Sequence, residues 1–318
     1  MAASATSPVR PALAPAAERV VAVDERFDLG LTLAPLRHWA RDPTIRLGRG
    51  EAWRATRTPA GPATERLVHG AGGISVAAWG PGAEWLLEAA PELLGARDEA
   101  DAGAFRPSHP LVRELQRRFA GLRLCRTRAV VESLLPAVAE QKVSGPEAHL
   151  AWWALLQQYG EPAPGPGARL GLRVPPAAST LARLPSYALH PSGLERKRAE
   201  TIRRACERAE RLEALVELAP EAGRERLAAL PGIGPWTAAE VAVRAFGDAD
   251  AVSVGDYHLP RLVCAALAGE AAGDDARMLE LLEPYRGQRA RVIRLLELGV
   301  GLPPRRAPRA PLRRLATI

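Results

Sequence analysis

The nine residues Leu230-Pro231-Gly232-Ile233-Gly234-Pro235-Trp236-Thr237-Ala238 leave the backbone few choices. Leu227 and Leu230 belong to an apolar helical segment that stops at Pro231. Gly232 and Gly234 then supply a turn whose backbone can approach a ligand without interference from a Cβ atom. A second helix begins at once, with Gly234 suited to its N-cap and Pro235 to its first position, where a missing N–H removes no intrahelical hydrogen bond. Ala238, Val241, Ala242 and Ala245 recur at helical spacing and give this helix one buried face. The product is a helical hairpin that aims free N–H groups and a positive dipole end at an anion, for which a phosphate is the natural candidate.

Beyond the turn-like Gly247-Asp248-Ala249-Asp250 comes Val254-Gly255-Asp256-Tyr257-His258, and then a helical run through Leu262, Val263, Ala266 and Leu267. Asp256 is predicted at a helix N-terminus, where the dipole favours the ionised carboxylate. Taken alone, such an Asp reads first as an ordinary N-cap. The hairpin upstream gives it a second reading, as a carboxylate held ready for developing positive charge.

In order, spacing and residue type, these two segments resemble the signature of the helix-hairpin-helix DNA glycosylase superfamily: a Leu-Pro-Gly-x-Gly hairpin, then a Gly/Pro-rich loop and an Asp. Within it the chain is most similar to the 3-methyladenine DNA glycosylase II group, because Trp236 stands where strand-cleaving members carry a lysine. The resemblance implies an α+β N-terminal domain followed by a mostly α-helical helix-hairpin-helix glycosylase core. It implies base excision repair of double-stranded DNA by a monofunctional enzyme. That enzyme would hydrolyse the N-glycosidic bond of alkylated purines, of the 3-methyladenine and 7-methylguanine type, with no AP lyase activity and no cofactor. Asp256 becomes the catalytic residue, Trp236 and Tyr257 the base pocket, and Gly232, Ile233 and Gly234 the phosphate-binding hairpin. A monovalent cation bridging the carbonyls near Pro231 and Ile233 to a DNA phosphate is implied as well.

Glu140-Gln141-Lys142-Val143-Ser144-Gly145, a polar break before Pro146 starts the next helix, resembles the Gln-x-Val-Ser loop of the same family. By that resemblance Gln141 and Lys142 are the DNA wedge that fills the gap left by a rotated nucleotide, where unstacking costs a few kcal/mol. A simple interhelical loop is the competing reading. Two positions depart from the family pattern: Glu240 stands where an aromatic can line the pocket, and Arg294 where the closing helix can present a tryptophan. Both put substrate range in doubt, and Glu240 could favour a different lesion.

The implied chemistry is economical. Alkylation at a ring nitrogen makes the purine a cationic leaving group, so the remaining difficulty is a sugar that becomes oxocarbenium-like, as in glycoside hydrolysis. Asp256 would stabilise that cation and orient or deprotonate the attacking water. An indole at Trp236 attracts a cationic purine more than a neutral one, although a tryptophan there could equally anchor its helix in the core. Two other readings stay open: a glycosylase for deaminated or oxidised bases, and a non-catalytic module whose hairpin binds DNA while Asp256 only caps.

Composition fits a polyanionic partner. The 318 residues carry a formal charge of +7, which could equally serve only a soluble surface; all but two of the 43 basic residues are arginine, the exceptions being Lys142 and Lys197, a skew that itself says little about partners. Cys125, Cys206 and Cys264 lie far apart, which excludes a disulfide framework, a paired-cysteine zinc site and an iron–sulfur loop after Asp256. No apolar run is long enough to span a bilayer, and the N-terminus lacks a basic start followed by an apolar core, so a cytoplasmic protein is expected; a monomer is expected because one hairpin engaging one nucleotide requires no symmetry.

Along the chain, residues 1–23 are rich in Ala and Pro and are expected to be a disordered lead-in. Residues 24–120 are assigned to the α+β domain, with strand-like pieces at Trp53 to Arg57, Leu67-Val68 and Ile74 to Val76, and a covering helix from Trp85. Residues 121–302 form the helical core. Its stripe of Val130, Val131, Leu134, Leu135 and Val138 contains Pro136, which should bend the helix, and Trp152 and Trp153 are assigned to core packing. The Pro/Gly-rich residues 160–185 read as a long connection. Ser192-Gly193-Leu194-Glu195 reads as a capping box, with Lys197 and Arg198 in reach of phosphates. Residues 303–318 hold five arginines and no acid, and form a basic tail that either adds affinity for DNA or only solubilises.

Overall fold

A computed structural model describes residues 14–98 and 105–301. The N-terminal part is a five-stranded antiparallel sheet built from β1 (Ala17–Val21), β2 (Ile45–Gly48), β3 (Glu51–Thr58), β4 (Gly61–Gly70) and β5 (Gly73–Trp79), in the order β1-β5-β4-β3-β2. β3 and β4 are joined by a turn at Pro59-Ala60, which sets Arg54 opposite Glu65. These two side chains form a buried ion pair, Arg54 Nε to Glu65 Oε1, at 2.6 Å. Helices α1 (Leu29–Leu33) and α2 (Ala83–Leu93) cover the sheet, and Leu33, Ile45, Leu67, Ile74 and Leu93 fill the space beneath them. Ala17–Val21, inside the stretch expected to be a structureless lead-in, pairs along β5, so the ordered chain begins earlier than residue 24. Residues 1–13 of that lead-in and the tail at 303–318 lie outside the described residues.

The helical part has two apolar centres. One gathers α4 (Val130–Ala139), α5 (Gly145–Tyr159), α7 (Arg196–Cys206) and the hairpin helices α9 (Pro220–Ala228) and α10 (Pro235–Ala245). The face predicted for α10 is realised, with Ala238, Val241, Ala242 and Ala245 fully buried. The other gathers α3 (Pro110–Arg118), α11 (Leu259–Ala268), α12 (Asp275–Leu282) and α13 (Arg289–Gly299). Helix α3 lies before the boundary placed at residue 120, yet its Val112 and Leu115 pack with Leu262, Leu282 and Leu296. The helical core therefore takes up the chain earlier than expected, because the amphipathic face of α3 finds its apolar partners in the C-terminal helices and not on the sheet.

Three further expectations change. Residues 160–185 are not a plain connection: β6 (Glu161–Pro162) pairs with β7 (Arg173–Val174), α6 (Ala178–Arg183) follows, and Thr64 Oγ1 of β4 donates to the Pro164 carbonyl at 2.9 Å. Ser192 caps nothing. It is buried and donates to Gln158 Oε1, and α7 starts only at Arg196. The capping box instead belongs to Ser144 and Glu147 at the start of α5. Trp152 is buried as expected, whereas Trp153, the next residue on the helix, is 43% exposed.

The sheet and the helices meet through polar contacts. Thr56 Oγ1 donates to Glu132 Oε2 at 2.7 Å, Arg244 Nε donates to the Pro35 carbonyl at 2.9 Å, and His38 Nδ1 lies 3.2 Å from Glu140 Oε1. Trp39 stacks on His149 with ring centroids 5.7 Å apart.

Candidate active site

A cleft of about 1110 Å³ opens where the two helical centres adjoin. Its walls come from the α4–α5 loop, the start of α7, the α9–α10 hairpin and the loop before α11. These segments bring together Gln141, Lys142, Gly232, Ile233, Gly234, Trp236, Asp256 and Tyr257. Residues 141 and 256 are thus neighbours in space.

The hairpin forms for the reasons its sequence suggests. Gly234 is the N-cap of α10 and Pro235 its first residue. Gly232 has φ +94°, and a Cβ there would sit 2.2 Å from Thr201 Oγ1 on α7, so both backbone conformation and space require glycine. A Cβ at Gly234 would meet nothing within 4 Å, which leaves the approach to the first turn of α10 open. In that turn the N–H groups of Trp236 and Thr237 precede the first intrahelical hydrogen bond.

Asp256 combines two tasks. Its Oδ1 accepts from the backbone N–H groups of His258 at 2.7 Å and Leu259 at 2.9 Å, which ties down the start of α11 although the N-cap itself is His258, and its Oδ2 accepts from Trp236 Nε1 at 3.0 Å. The carboxylate is therefore fixed at both oxygens, half-buried, on the cleft wall. Trp236 is half-buried as well, and its indole is locked to the carboxylate. Tyr257 is 74% exposed and meets His258 edge-on, which places it at the mouth of the cleft.

Gln141 and Lys142 part company. The Gln141 amide donates to the Gly232 carbonyl at 3.0 Å and to Thr237 Oγ1 at 2.9 Å, so it ties the α4–α5 loop to the hairpin. Lys142 is exposed at the loop tip with φ +55°, a left-handed conformation that a non-glycine residue seldom holds. Lys197 also lines the cleft and is exposed, so both lysines of the chain face it. Arg198, expected near phosphates, is buried and donates instead to the carbonyls of Ala139 and Gly193.

The Pro231 carbonyl, one of the two expected to meet a monovalent cation, accepts from Arg204 Nη1 at 3.0 Å. A guanidinium already on that oxygen opposes a second cation there by like charge, so the residues do not fit the implied group at Pro231. Among the described residues, no cluster of three His, Cys, Asp or Glu side chains could hold a metal ion, and no helix is long and apolar enough to cross a membrane.

Glu240 is not on the cleft wall. It accepts from Ser253 Oγ at 2.5 Å and from Arg244 Nη1 at 2.7 Å, and the Ser253 carbonyl in turn accepts from the Asp256 N–H at 3.1 Å. The residue flagged as a pocket departure thus holds the loop that carries Asp256. Arg294 pairs with Glu297 on its own helix and does not line the cleft.

The cleft also contains Glu140 and His149, which sequence reasoning passed over. Burial pushes the Glu140 carboxyl up, but the hydrogen bond and charge of His38 and the charge of Arg244 outweigh it and hold the group below the usual carboxylate range. Burial pushes His149 down, which favours a neutral imidazole against Trp39. Only the polar break at residues 140–145 hinted at Glu140. Nothing local marks His149 or its partners in the other domain.

No protein-family model matches the chain, and no curated protein matches it in sequence. Solved structures do. The fold is that of the helix-hairpin-helix DNA glycosylases. A 3-methyladenine DNA glycosylase from Archaeoglobus fulgidus superposes with a TM-score of 0.68 over 86% of this chain and 94% of its own, at 21% identity. An 8-oxoguanine glycosylase/lyase from Clostridium acetobutylicum, solved with double-stranded DNA, superposes with a TM-score of 0.64 over 85% of this chain and 90% of its own, at 13% identity.

Proposed function

We propose that the protein is a DNA glycosylase that removes alkylated purines from double-stranded DNA by hydrolysis, with Asp256 as the catalytic carboxylate. The observation that carries this reading is the Asp256 and Trp236 pair, a fixed carboxylate and an indole 3.0 Å apart on the wall of a cleft flanked by a phosphate-binding type of hairpin. The hairpin grips the backbone, and the damaged nucleotide turns out of the duplex into the cleft. The indole favours a cationic base, and the carboxylate stabilises the oxocarbenium-like sugar and directs water to it.

By the resemblance of its hairpin to the family signature, Trp236 stands where strand-cleaving members carry a lysine, and on this reading base release uses water and is not coupled to strand scission. The test is base release from duplex DNA treated with a methylating agent, comparing wild type with Asp256→Asn. Release by wild type, a loss of at least about a hundredfold in the variant, and strand breaks only after alkali are expected. Borohydride trapping on abasic DNA probes the uncoupling directly, because Lys142 and Lys197 are the sole lysines. A covalent adduct mapped to either one would overturn the hydrolytic assignment.

A further inference from the structure

The wall of the cleft supplied by the α4–α5 loop offers an incoming base one anionic acceptor, Glu140. Glu140 Oε1 is bound by His38 Nδ1 at 3.2 Å, and Oε2 has no hydrogen-bond partner among the described residues. The side chain is 24% exposed, against 8% for His38 behind it, and Glu140 lines the cleft. The rest of this wall carries no second anion: the Gln141 amide N–H₂ is given to the hairpin, which leaves only a neutral amide oxygen, the Ser144 hydroxyl is given to Glu147, and Lys142 only donates. The Asp256 oxygens are already shared between Trp236 and two backbone N–H groups. His38 reaches Glu140 from the other domain and holds one oxygen, and the α4 backbone fixes the Glu140 N–H on the Pro136 carbonyl, so the carboxylate is preorganised before any ligand arrives.

A carboxylate only accepts hydrogen bonds, so it selects a base edge that donates. Guanine presents two adjacent donors on its Watson–Crick edge, the ring N1–H and the 2-amino group, whereas adenine presents a single amino group beside a ring nitrogen that accepts. Alkylation at N7 puts positive charge on the guanine ring and sharpens N1–H as a donor; since 3-methyladenine is cationic as well, the paired donors of the guanine edge carry the selection. We propose that Glu140 is the specificity-determining acceptor of this cleft, and that it selects guanine alkylated at N7 over alkylated adenine. The proposal rests on the glycosylase reading and adds the preferred lesion to it. His38 acts as a positioning residue, since it touches the carboxylate and not the base.

The experiment measures 7-methylguanine and 3-methyladenine released from one preparation of methylated duplex DNA by wild type, Glu140→Gln and Asp256→Asn. Glutamine keeps the size of the side chain but turns an N–H₂ donor toward a donor edge. Glu140→Gln is expected to lower 7-methylguanine release at least about tenfold while 3-methyladenine release persists, and that persistence also shows the variant is folded. Asp256→Asn is expected to lower both together. An unchanged ratio in Glu140→Gln overturns the proposal.

A second arm is independent of turnover: quenching of tryptophan fluorescence by 7-methylguanosine. Weaker binding by Glu140→Gln than by wild type supports the role of Glu140 even if wild type releases no base, a result that would sink only the glycosylase reading. Equal binding by both proteins, or none by wild type, overturns it.

Discussion

Asp256→Asn should do two separable kinds of damage, because the two oxygens of Asp256 have different partners. Asparagine can keep Oδ1 on the His258 and Leu259 N–H groups, but those bonds lose their charge assistance, a loss of about 1 kcal/mol for the pair. The amide N–H₂ then faces Trp236 Nε1, so a hydrogen bond at 3.0 Å becomes an opposition of donors that costs a further 1–2 kcal/mol or about that. The expected loss of folding stability is therefore about 2–3 kcal/mol. In a Trp236→Phe background the opposed donor is gone, and Asp256→Asn should cost only about 1 kcal/mol, which gives a coupling energy of about 1–2 kcal/mol. Urea denaturation of wild type, both single variants and the double variant measures this cycle, and single-turnover base release measures the chemistry alongside it. The double variant should lose less stability than the two single losses added together, without recovering rate, since the missing charge is what the oxocarbenium-like sugar requires. Additive stability losses would show that the Asp256 to Trp236 bond contributes nothing, and recovery of rate in the double variant would remove the carboxylate from the mechanism.

Other perturbations test the supports of the site. Gly232→Ala forces a left-handed φ on alanine and drives its Cβ into Thr201, a loss of about 2–4 kcal/mol that Thr201→Ala should partly restore in thermal melts. Glu240→Ala strips Ser253 of its acceptor and Arg244 of its ion-pair partner, so it should lower both stability and turnover while leaving the ratio of bases released unchanged. Glu240→Gln, which still accepts from Ser253, should restore most of the turnover, and a changed ratio of bases would return Glu240 to the pocket. Glu213 accepts from the Val130 and Val131 N–H groups, yet burial pushes its carboxyl up to about 7. The folded state thus keeps a proton that the unfolded chain has already lost, and stability should fall as pH rises from about 4.5 through 7. Melting temperatures at pH 5 and pH 8 should differ less in Glu213→Gln than in wild type, and an equal pH dependence in both would contradict the assignment.

The parts of the site that could be read from sequence are those governed by local chemistry. Gly232, Gly234 and Pro235 announce the hairpin through φ, capping and a missing donor, and the alanine face of α10 follows from its period. Asp256 could be placed at a helix start, but not its bond to Trp236, because that bond depends on how α11 sits against α10. Glu140 and His38 are 102 residues apart and belong to different layers, so no local pattern links them. Trp153 and Ser192 show the converse error. A tryptophan beside a buried tryptophan and a serine three residues before a glutamate both looked decisive, yet helix rotation exposes the first and a buried bond to Gln158 consumes the second. For Glu240, position along α10 says which face it shares but not which loop crosses that face, so its bonds to Ser253 and Arg244 have no local signal.

The polar seam between the sheet and the helices bears on any attempt to trim the protein. Arg244 spends its guanidinium on Pro35 of one layer and Glu240 of the other, Glu132 is met by Thr56 and the Arg57 N–H, and Glu140 is steadied by His38. A fragment cut to the helices alone would keep the hairpin and Asp256 but inherit charged side chains without their complements, directly behind the loops that shape the cleft. Its weakness would show less as unfolding of the hairpin than as a loosened grip on the base, so the small sheet is better regarded as the back wall of the cleft than as a removable neighbour.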